Sequence, residues 1–314
     1  EVRNLCTWFP VKQGLWGKTS HYIKGVDGVS LRVNPGEIVA LVGESGCGKS
    51  TLGNSLAGLL PIQGGELFYQ GNAALRKNRL QRSVFQNKVQ VIFQDPYSCL
   101  NPKHTVYEIL SFPLLYHKIC KRSEVKDMIA HLLQQVGMPP DYMNRYPHSF
   151  SGGQRQRISI ARAIGMKPDL MICDEIVSSL DVSIQAQMVE LLLELRKELG
   201  LALLFIAHDL SLVKTLSDRL YVMYLGKIVE SGGTEDVLSH PRHPYTRALI
   251  EAVPTLDRSK PPAILEGEVP SFTNMPVGCS FQNRCLHRSD QCQQMPGITE
   301  NQGREVRCFH PQDK

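Results

Sequence analysis

The segment GESGCGKST at 43–51 constrains the fold of this chain more than any other. It satisfies the pattern G-x-x-x-x-G-K-[ST] and stands between an apolar run, EIVALVG, and a helical pattern, STLGNSLAGLL. Glycines let the backbone curl around an anion, the lysine reaches terminal phosphates, and the hydroxyl after it binds magnesium. We predict a phosphate-binding loop, rather than an unliganded glycine-rich turn, made of Gly43, Glu44, Ser45, Gly46, Cys47, Gly48, Lys49, Ser50 and Thr51.

Three short apolar runs predict the buried parallel strands of an α/β fold: EIVALVG at 37–43, PDLMICDE at 168–175 and LALLFIAHD at 201–209. Each run is followed by a turn and a helical pattern, the order of a doubly wound sheet. The pattern of residues 96–165, between the first two predicted strands, indicates mainly helix, with an amphipathic segment at 123–138. That stretch is longer than a crossover needs, so we predict a helical insertion.

The last third of the chain changes character. Residues 218–231 predict two short strands around Leu225-Gly226, and TEDVLSHP begins with a helix cap before a brief helix. Beyond Thr255, scattered prolines interrupt any long periodicity, so residues 255–314 should form a loop-rich appendage.

Two further strand ends carry chemistry. Asp174 and Glu175 close the second run and His208 closes the third, so all three should reach the carboxyl edge of the sheet. An Asp there can hold magnesium, the adjacent Glu can polarise an attacking water, and the His can contact the γ-phosphate or orient that water. Each residue alone would fit a structural role, but beside a phosphate-binding loop we predict a catalytic one.

Composition excludes several classes of protein. Hydrophobic residues make up 42% of the 314 residues and charged residues 21%, which is ordinary for a globular chain. The longest apolar runs are too short for a membrane helix, and Glu1-Val2-Arg3 begins no signal peptide, so we expect a cytosolic chain or one lying at a membrane without crossing it. The net charge of +5 is spread evenly, and we expect no nucleic-acid partner.

Three more segments complete a family resemblance. FSGGQRQR at 150–157 resembles the signature of ATP-binding cassette (ABC) ATPases, VIFQDP at 91–96 is similar to their Q-loop, and SSLD at 178–181 to their D-loop. The resemblance covers roughly 40–210 and implies a P-loop NTPase fold with a RecA-like core plus helical subdomain. Isoleucine at 176 stands where the family usually has proline, which should affect turn rigidity and leave the carboxylates unchanged.

The resemblance assigns further residues to an ATP and Mg²⁺ site. Ser50, Gln94 and Asp174 would hold the magnesium. Gln94 would sense that ion and would also lie beside the contact surface for a membrane subunit. Adenine would stack on an upstream aromatic residue, for which Tyr22 is the first candidate and Trp16 a weaker one. The signature and D-loop would contact the ATP of a partner cassette through Ser151, Gly152, Gly153, Gln154 and Asp181.

The segment HPRHPYTRALIEAVP at 240–254 resembles the oligopeptide, dipeptide and nickel branch of ABC importers, as does a four-cysteine tail. The tail spacing, C-x5-C-x6-C-x15-C, lacks the paired knuckles of structural zinc. In that branch such cysteines resemble [4Fe-4S] ligands, which implies a metal-binding extension at 255–314 after a nucleotide-binding domain at 1–254 with its helical subdomain at about 96–165. Zinc, with His287 or His310 as substitute ligands, is the alternative to a cluster at Cys279, Cys285, Cys292 and Cys308.

The resemblance implies the ATP-hydrolysing subunit of an importer of short peptides, a nickel chelate or a related solute, at the cytoplasmic face of the cell membrane. It also implies a second, homologous ATPase subunit, two membrane permeases and a solute-binding protein. Two alternatives stay open at this point: a soluble ABC-type ATPase acting on DNA or the ribosome, and a nearly inactive regulatory partner of an active sister chain.

Overall fold

The computed structural model describes residues 1–13, 18–74, 85–178, 180–253 and 267–312. The chain forms two compact units. The first comprises Glu1–Val33, Ile38–Leu75 and Ile206–Lys314, and the second comprises Asn34–Glu37 and Arg76–Phe205. Within the described ranges, no helix is long and apolar enough to span a membrane.

The strands and helices have the following bounds. The strands are β1 (Val2–Gln13), β2 (Lys18–Leu31), β3 (Ile38–Val42), β4 (Gly64–Tyr69), β5 (Asn72–Ala73), β6 (Val89–Ile92), β7 (Leu170–Asp174), β8 (Ala202–Ala207), β9 (Arg219–Tyr224), β10 (Lys227–Gly233), β11 (Thr299–Asn301) and β12 (Arg304–Val306). The helices are α1 (Lys49–Leu56), α2 (Pro96–Cys99), α3 (Val106–Tyr116), α4 (Val125–Gln135), α5 (Gly152–Gly165), α6 (Val182–Leu199), α7 (Leu210–Leu216), α8 (Thr234–Ser239) and α9 (Pro244–Glu251).

The first unit contains two groups of strands. An antiparallel sheet has the order β2-β1-β4-β5, and a second set has the order β11-β12-β10-β9-β3. Strand β3 is buried along its whole length and pairs in parallel with β9, with Leu41 opposite Tyr221. Strands β9 and β10 join through Leu225 and Gly226, which both have positive φ (41° and 77°), as a tight hairpin turn requires. The predicted strand pair at 218–231 is therefore confirmed.

The second unit contains the predicted helical stretch. Strands β8, β7 and β6 are neighbours in that order, with β6 and β7 parallel, and helices α2 to α5 lie between β6 and β7 in the chain. Helix α4 buries Val125, Ile129, Leu132 and Leu133, whose spacing places them on one face. Helix α3 begins with a capping box between Thr105 and Glu108. The helical character of 96–165 is confirmed.

The described part of the appendage is loop-rich, as predicted, but it also contains a hairpin that the proline pattern concealed. Strand β12 pairs antiparallel with β10, with Val306 opposite Glu230. The carboxylate of Glu230 is buried and accepts hydrogen bonds from the backbone N–H groups of Arg242 (2.8 Å) and His243 (2.9 Å). Arg304, which begins β12, donates to the same carboxylate at 2.8 Å. One buried charge thus joins β10, the start of α9 and the terminal hairpin.

His243 caps α9 and is buried. Its Nδ1 accepts a hydrogen bond from the N–H of Tyr245 at 3.0 Å, and Pro244 occupies the first helical position. Burial lowers the pKa of His243 from 6.5 to about 3. The imidazole is therefore neutral in the folded protein at every pH above that value, whereas in the unfolded chain it gains a proton below about pH 6.5.

This difference predicts a pH-dependent stability. His243 favours the folded state above pH 6.5, and that contribution is lost as the pH falls toward 3, by about 1.4 kcal/mol per pH unit. His243→Asn retains a capping acceptor but does not titrate. We expect the stability advantage of wild type over this variant, measured by urea unfolding, to shrink from pH 7 to pH 4. The exposed His240→Asn is the control, and an advantage that does not change with pH would contradict the prediction.

Candidate nucleotide site

The predicted phosphate-binding loop lies between β3 and α1. Gly43, Gly46 and Gly48 have φ values of 153°, 76° and 108°, in the region that favours glycine. A Cβ at Gly43 would lie 2.2 Å from the carbonyl oxygen of Met223, and one at Gly48 would lie 2.2 Å from that of Gly25. Gly43 and Gly48 are therefore required by close backbone contacts as well as by backbone conformation, whereas Gly46 is favoured by conformation alone.

The Lys49 side chain extends back toward the start of this loop. Its side chain is buried, and Nζ donates to the carbonyl oxygens of Gly43 (2.8 Å) and Glu44 (3.0 Å). Its ammonium group therefore lies beside the loop backbone, while Ser50, in the first turn of α1, is exposed. Burial raises the pKa of Cys47, so this thiol is a neutral packing group. All nine residues from Gly43 to Thr51 lie in the loop and the first turn of α1.

The candidate adenine-stacking residue lies on β2, the strand that also supplies Gly25. The Tyr22 side chain is 50% exposed, and its ring centroid lies 6.2 Å from that of Trp8. An exposed aromatic ring is what stacking on adenine needs, and its role stays a prediction. Trp16 lies outside the described residues.

In the second unit, Asp174 ends β7 and is buried, and Glu175 follows with a positive φ of 49°. The Ser178 hydroxyl donates to the Glu175 carbonyl at 2.8 Å and lies 3.4 Å from Nε2 of Gln94, which donates to it. Hydrogen bonds thus connect the predicted Q-loop glutamine to the turn that carries Glu175. Ile176 is buried, so the residue at the family's proline position fills a packing site.

The signature segment begins α5. The Ser151 hydroxyl accepts from the N–H of Gln154 at 3.3 Å, while the Gln154 side chain accepts from the N–H of Ser151 at 3.1 Å. A Cβ at Gly153 would lie 2.7 Å from Cγ2 of Ile184 on α6, the helix that Asp181 precedes as its exposed cap residue. A Cβ at Gly152 would lie 3.7 Å from Cδ2 of Leu180 in the D-loop, so the signature and the D-loop are neighbours within this unit.

His208 belongs to the first unit. It follows β8 with an exposed side chain, and the next residue, Asp209, caps α7 by accepting from the N–H of Ser211 at 2.8 Å. The structure therefore places His208 in the turn between β8 and α7. Its contact with a nucleotide stays a prediction.

The four tail cysteines lie close enough to affect one another electrostatically. Burial, with smaller contributions from Cys279, Cys285 and Cys292, raises the pKa of Cys308 to about 11. The N–H of Cys279 donates to the carbonyl of Cys292 at 2.9 Å. Among the described residues, however, no group of three or more His, Cys, Asp or Glu side chains is arranged to hold a metal ion. The predicted metal-binding character of the extension is therefore not supported by the geometry.

Two contacts to the phosphate-binding loop were missed by sequence reasoning. Tyr245, from α9, reaches the backbone of Glu44, and Arg284, from the tail, reaches its side chain. Tyr245 lies in the HPYT motif, residues 243–246 of the segment that resembles the importer branch. The motif thus contained a contact residue, although nothing in its spacing identified Glu44 as the residue contacted.

Comparison with known proteins identifies the family. Residues 26–178 match the ABC transporter family, and residues 229–292 match the C-terminal region of oligopeptide/dipeptide transporters. The oligopeptide transport ATP-binding protein OppF of Salmonella typhimurium is 46% identical over 314 residues, covering 98% of this chain and 94% of that protein. This chain belongs to the ATP-binding proteins of the ABC transporter family. The dipeptide transport ATP-binding protein DppF of Escherichia coli, another member, is 43% identical and covers 96% of this chain and 91% of its own.

Solved ABC structures confirm the P-loop cassette fold. CbiO1 of Clostridium perfringens, part of the CbiONQ transporter complex, superposes with a TM-score of 0.63 at 26% identity, covering 76% of this chain and 92% of that one. The ATP-binding cassette MJ0796, a dimer bound to ADP and phosphate, superposes with a TM-score of 0.65 at 24% identity, covering 74% and 97%. At that identity the second comparison supports the fold alone.

The loop geometry predicts unequal effects for two glycine substitutions. Gly48→Ala introduces a Cβ against the Gly25 carbonyl and should cost several kcal/mol, about 3 or more, and abolish ATP binding. A Cβ at Gly46 meets no atom within 4 Å, so Gly46→Ala should lower the free energy of unfolding only by the strain of a positive φ in alanine, about 1–2 kcal/mol. Urea unfolding and Mg-ATP binding measure both variants, and equal losses of stability would show that the contact with Gly25 is unimportant.

Proposed function

We propose that this chain is the ATP-hydrolysing subunit that powers the import of short peptides across the cell membrane, bound peripherally at the cytoplasmic face. The observation that carries the proposal is the glycine-formed phosphate-binding loop with Lys49 folded over it, in a chain that aligns nearly end to end with oligopeptide and dipeptide transport ATP-binding proteins. The match of residues 229–292 to the oligopeptide/dipeptide transporter C-terminal region supports peptides as the solute class.

In this proposal ATP is held by the loop residues 43–51, with Tyr22 stacking on adenine. Ser50, Gln94 and Asp174 would hold Mg²⁺, which would neutralise phosphate charge. Glu175 polarises the attacking water, and His208 contacts the γ-phosphate. The buried position of Asp174 supports its role because burial limits the freedom of its side chain, and the hydrogen bond from Ser178 to the Glu175 carbonyl supports the role of Glu175 because it restrains the backbone of that turn.

The signature residues Ser151, Gly152, Gly153 and Gln154, with Asp181, are proposed to contact ATP bound to a partner cassette. A capped helix N-terminus offers backbone N–H groups and a positive dipole end to an anion. The partner is proposed to be a homologous, non-identical ATPase, which with this chain would drive two membrane permeases supplied with peptide by a binding protein.

A substitution at Glu175 tests the proposed reaction in the assembled transporter. Glu175→Gln keeps a side chain of the same shape but removes the carboxylate base, so we expect Mg-ATP binding to persist while ATP turnover and peptide uptake fall by about 10²-fold or more. The exposed Glu190→Gln on α6 is the matched control and should retain both activities. Hydrolysis retained by the Glu175→Gln complex would remove Glu175 from its proposed role.

We further propose that residues 1–254 form the cassette, with a helical subdomain at about 96–165, and that the tail at 255–314 holds a [4Fe-4S] cluster. Cys279, Cys285, Cys292 and Cys308 supply the four thiols that such a cluster needs, and the first three influence the pKa of Cys308, although their present arrangement is not that of a formed metal site. The cluster would cross-link a segment with little apolar core. Zinc is the competing metal.

Anaerobic purification tests the cluster. We expect broad absorbance near ~400 nm with iron and labile sulfide, lost in Cys308→Ser and retained in Cys120→Ser, a thiol outside the tail. Protein that contains zinc without iron would support the competing metal, and protein without either would remove the metal assignment.

A further inference from the structure

Glu44, the second residue of the phosphate-binding loop, forms hydrogen bonds with two residues from the C-terminal part of the chain, Arg284 and Tyr245. Arg284 Nη1 donates to one carboxylate oxygen at 2.7 Å, and Nη2 donates to the other at 2.9 Å. The Arg284 side chain is only 4% exposed and that of Glu44 only 21%. A bidentate arginine–carboxylate pair of this kind fixes orientation as well as charge.

The backbone of the same residue is held separately. The N–H of Glu44 donates to Oη of Tyr245 at 2.9 Å. Tyr245 is completely buried, and burial raises the pKa of its hydroxyl well above the usual range, so it stays a neutral acceptor. Three contacts, two to the side chain and one to the backbone, therefore reach a single loop residue.

Aromatic packing holds Arg284 and Tyr245 in place. The rings of Tyr224, Tyr245 and Phe281 form a cluster, with centroids 4.6 Å apart for the tyrosine pair and 5.3 Å from each tyrosine to Phe281. Arg284 Nη1 also lies 3.4 Å from Oη of Tyr224. Because Phe281 and Arg284 come from the same short turn of the tail, packing of the ring positions the guanidinium.

Glu44 also connects the contacts from Arg284 and Tyr245 to Lys49, the lysine of the phosphate-binding loop. Its carbonyl oxygen accepts from Lys49 Nζ at 3.0 Å. A shift of the Glu44 backbone would therefore move an acceptor of the lysine ammonium and the N–H groups of the residues that follow. The tail contacts and the lysine meet at one peptide unit.

We propose that Arg284 and Tyr245 are positioning residues for ATP, which hold the phosphate-binding loop in its anion-binding shape through Glu44. The inference rests on the proposed function and extends it, since it makes the importer-branch tail part of the nucleotide site. Neither residue touches nucleotide in this role. Each acts on the loop.

A double-mutant cycle between Arg284 and Glu44 tests the proposal, using the assembled transporter and Mg-ATP. Arg284→Ala and Glu44→Gln should each weaken ATP binding about tenfold, and the double variant should be no weaker than the weaker single variant, because both remove one interaction. The KM for ATP should rise by a similar factor, while kcat at saturating ATP stays within about threefold. Arg284→Lys should recover part of the affinity, since it keeps the charge and loses the fork.

Matched controls separate positioning from general stability. Arg288→Ala removes an exposed arginine from the same tail and should leave ATP affinity unchanged. Tyr245→Phe removes only the hydroxyl and should weaken ATP binding without altering the aromatic packing. If Arg284→Ala does not fold, Arg284→Lys and Glu44→Gln decide the outcome.

Unchanged ATP affinity in the folded Arg284 and Glu44 variants, or strictly additive losses, would overturn the inference. Failure of the proposed function gives a different result, because the wild-type transporter itself would then bind ATP without hydrolysing it or taking up peptide.

Discussion

The close approach of the phosphate-binding loop to neighbouring backbone is the constraint on which the rest of the first unit depends. The loop presses on the carbonyl of Gly25 from the antiparallel sheet and on that of Met223 from β9, and only glycine fits at either contact. Arg284 and Tyr245 hold the same loop from the C-terminal side. Chain segments far apart in sequence therefore converge on one short turn.

The tail depends on a second buried charge. Glu230 joins β10 to the start of α9 through two backbone N–H groups and to the terminal hairpin through Arg304. This arrangement places Tyr245 in the first turn of α9 and fixes the position of its hydroxyl. Burying a carboxylate is costly unless it is fully bonded, and here three donors compensate for its lost hydration. The packing of the HPYT motif and the shape of the phosphate-binding loop are thus linked through β10.

Local patterns were sufficient to predict much of this molecule from its sequence. The runs that became β3, β7 and β8 are continuous and apolar, and the phosphate-binding loop and the signature each lie within a few consecutive residues. The terminal hairpin was missed because β11 and β12 are each three residues long, and β12 joins the sheet by pairing with β10, more than 70 residues earlier. The pair between Glu44 and Arg284 joins residues separated by 240 positions, so no local spacing could reveal it. The cysteine spacing suggested a metal site, but spacing alone does not give sulfur atoms a ligating geometry.

The C-terminal part of the chain is proposed to hold the phosphate-binding loop in place through Arg284 and Tyr245. Amide hydrogen exchange resolved at single residues tests it directly, because the Glu44 N–H is bonded to a buried hydroxyl whereas Gly46 lies exposed in the same loop. In protein without added nucleotide, we expect the Glu44 amide to exchange about as slowly as the buried amides of β3. Exchange of the Glu44 amide as fast as that of Gly46 would contradict it.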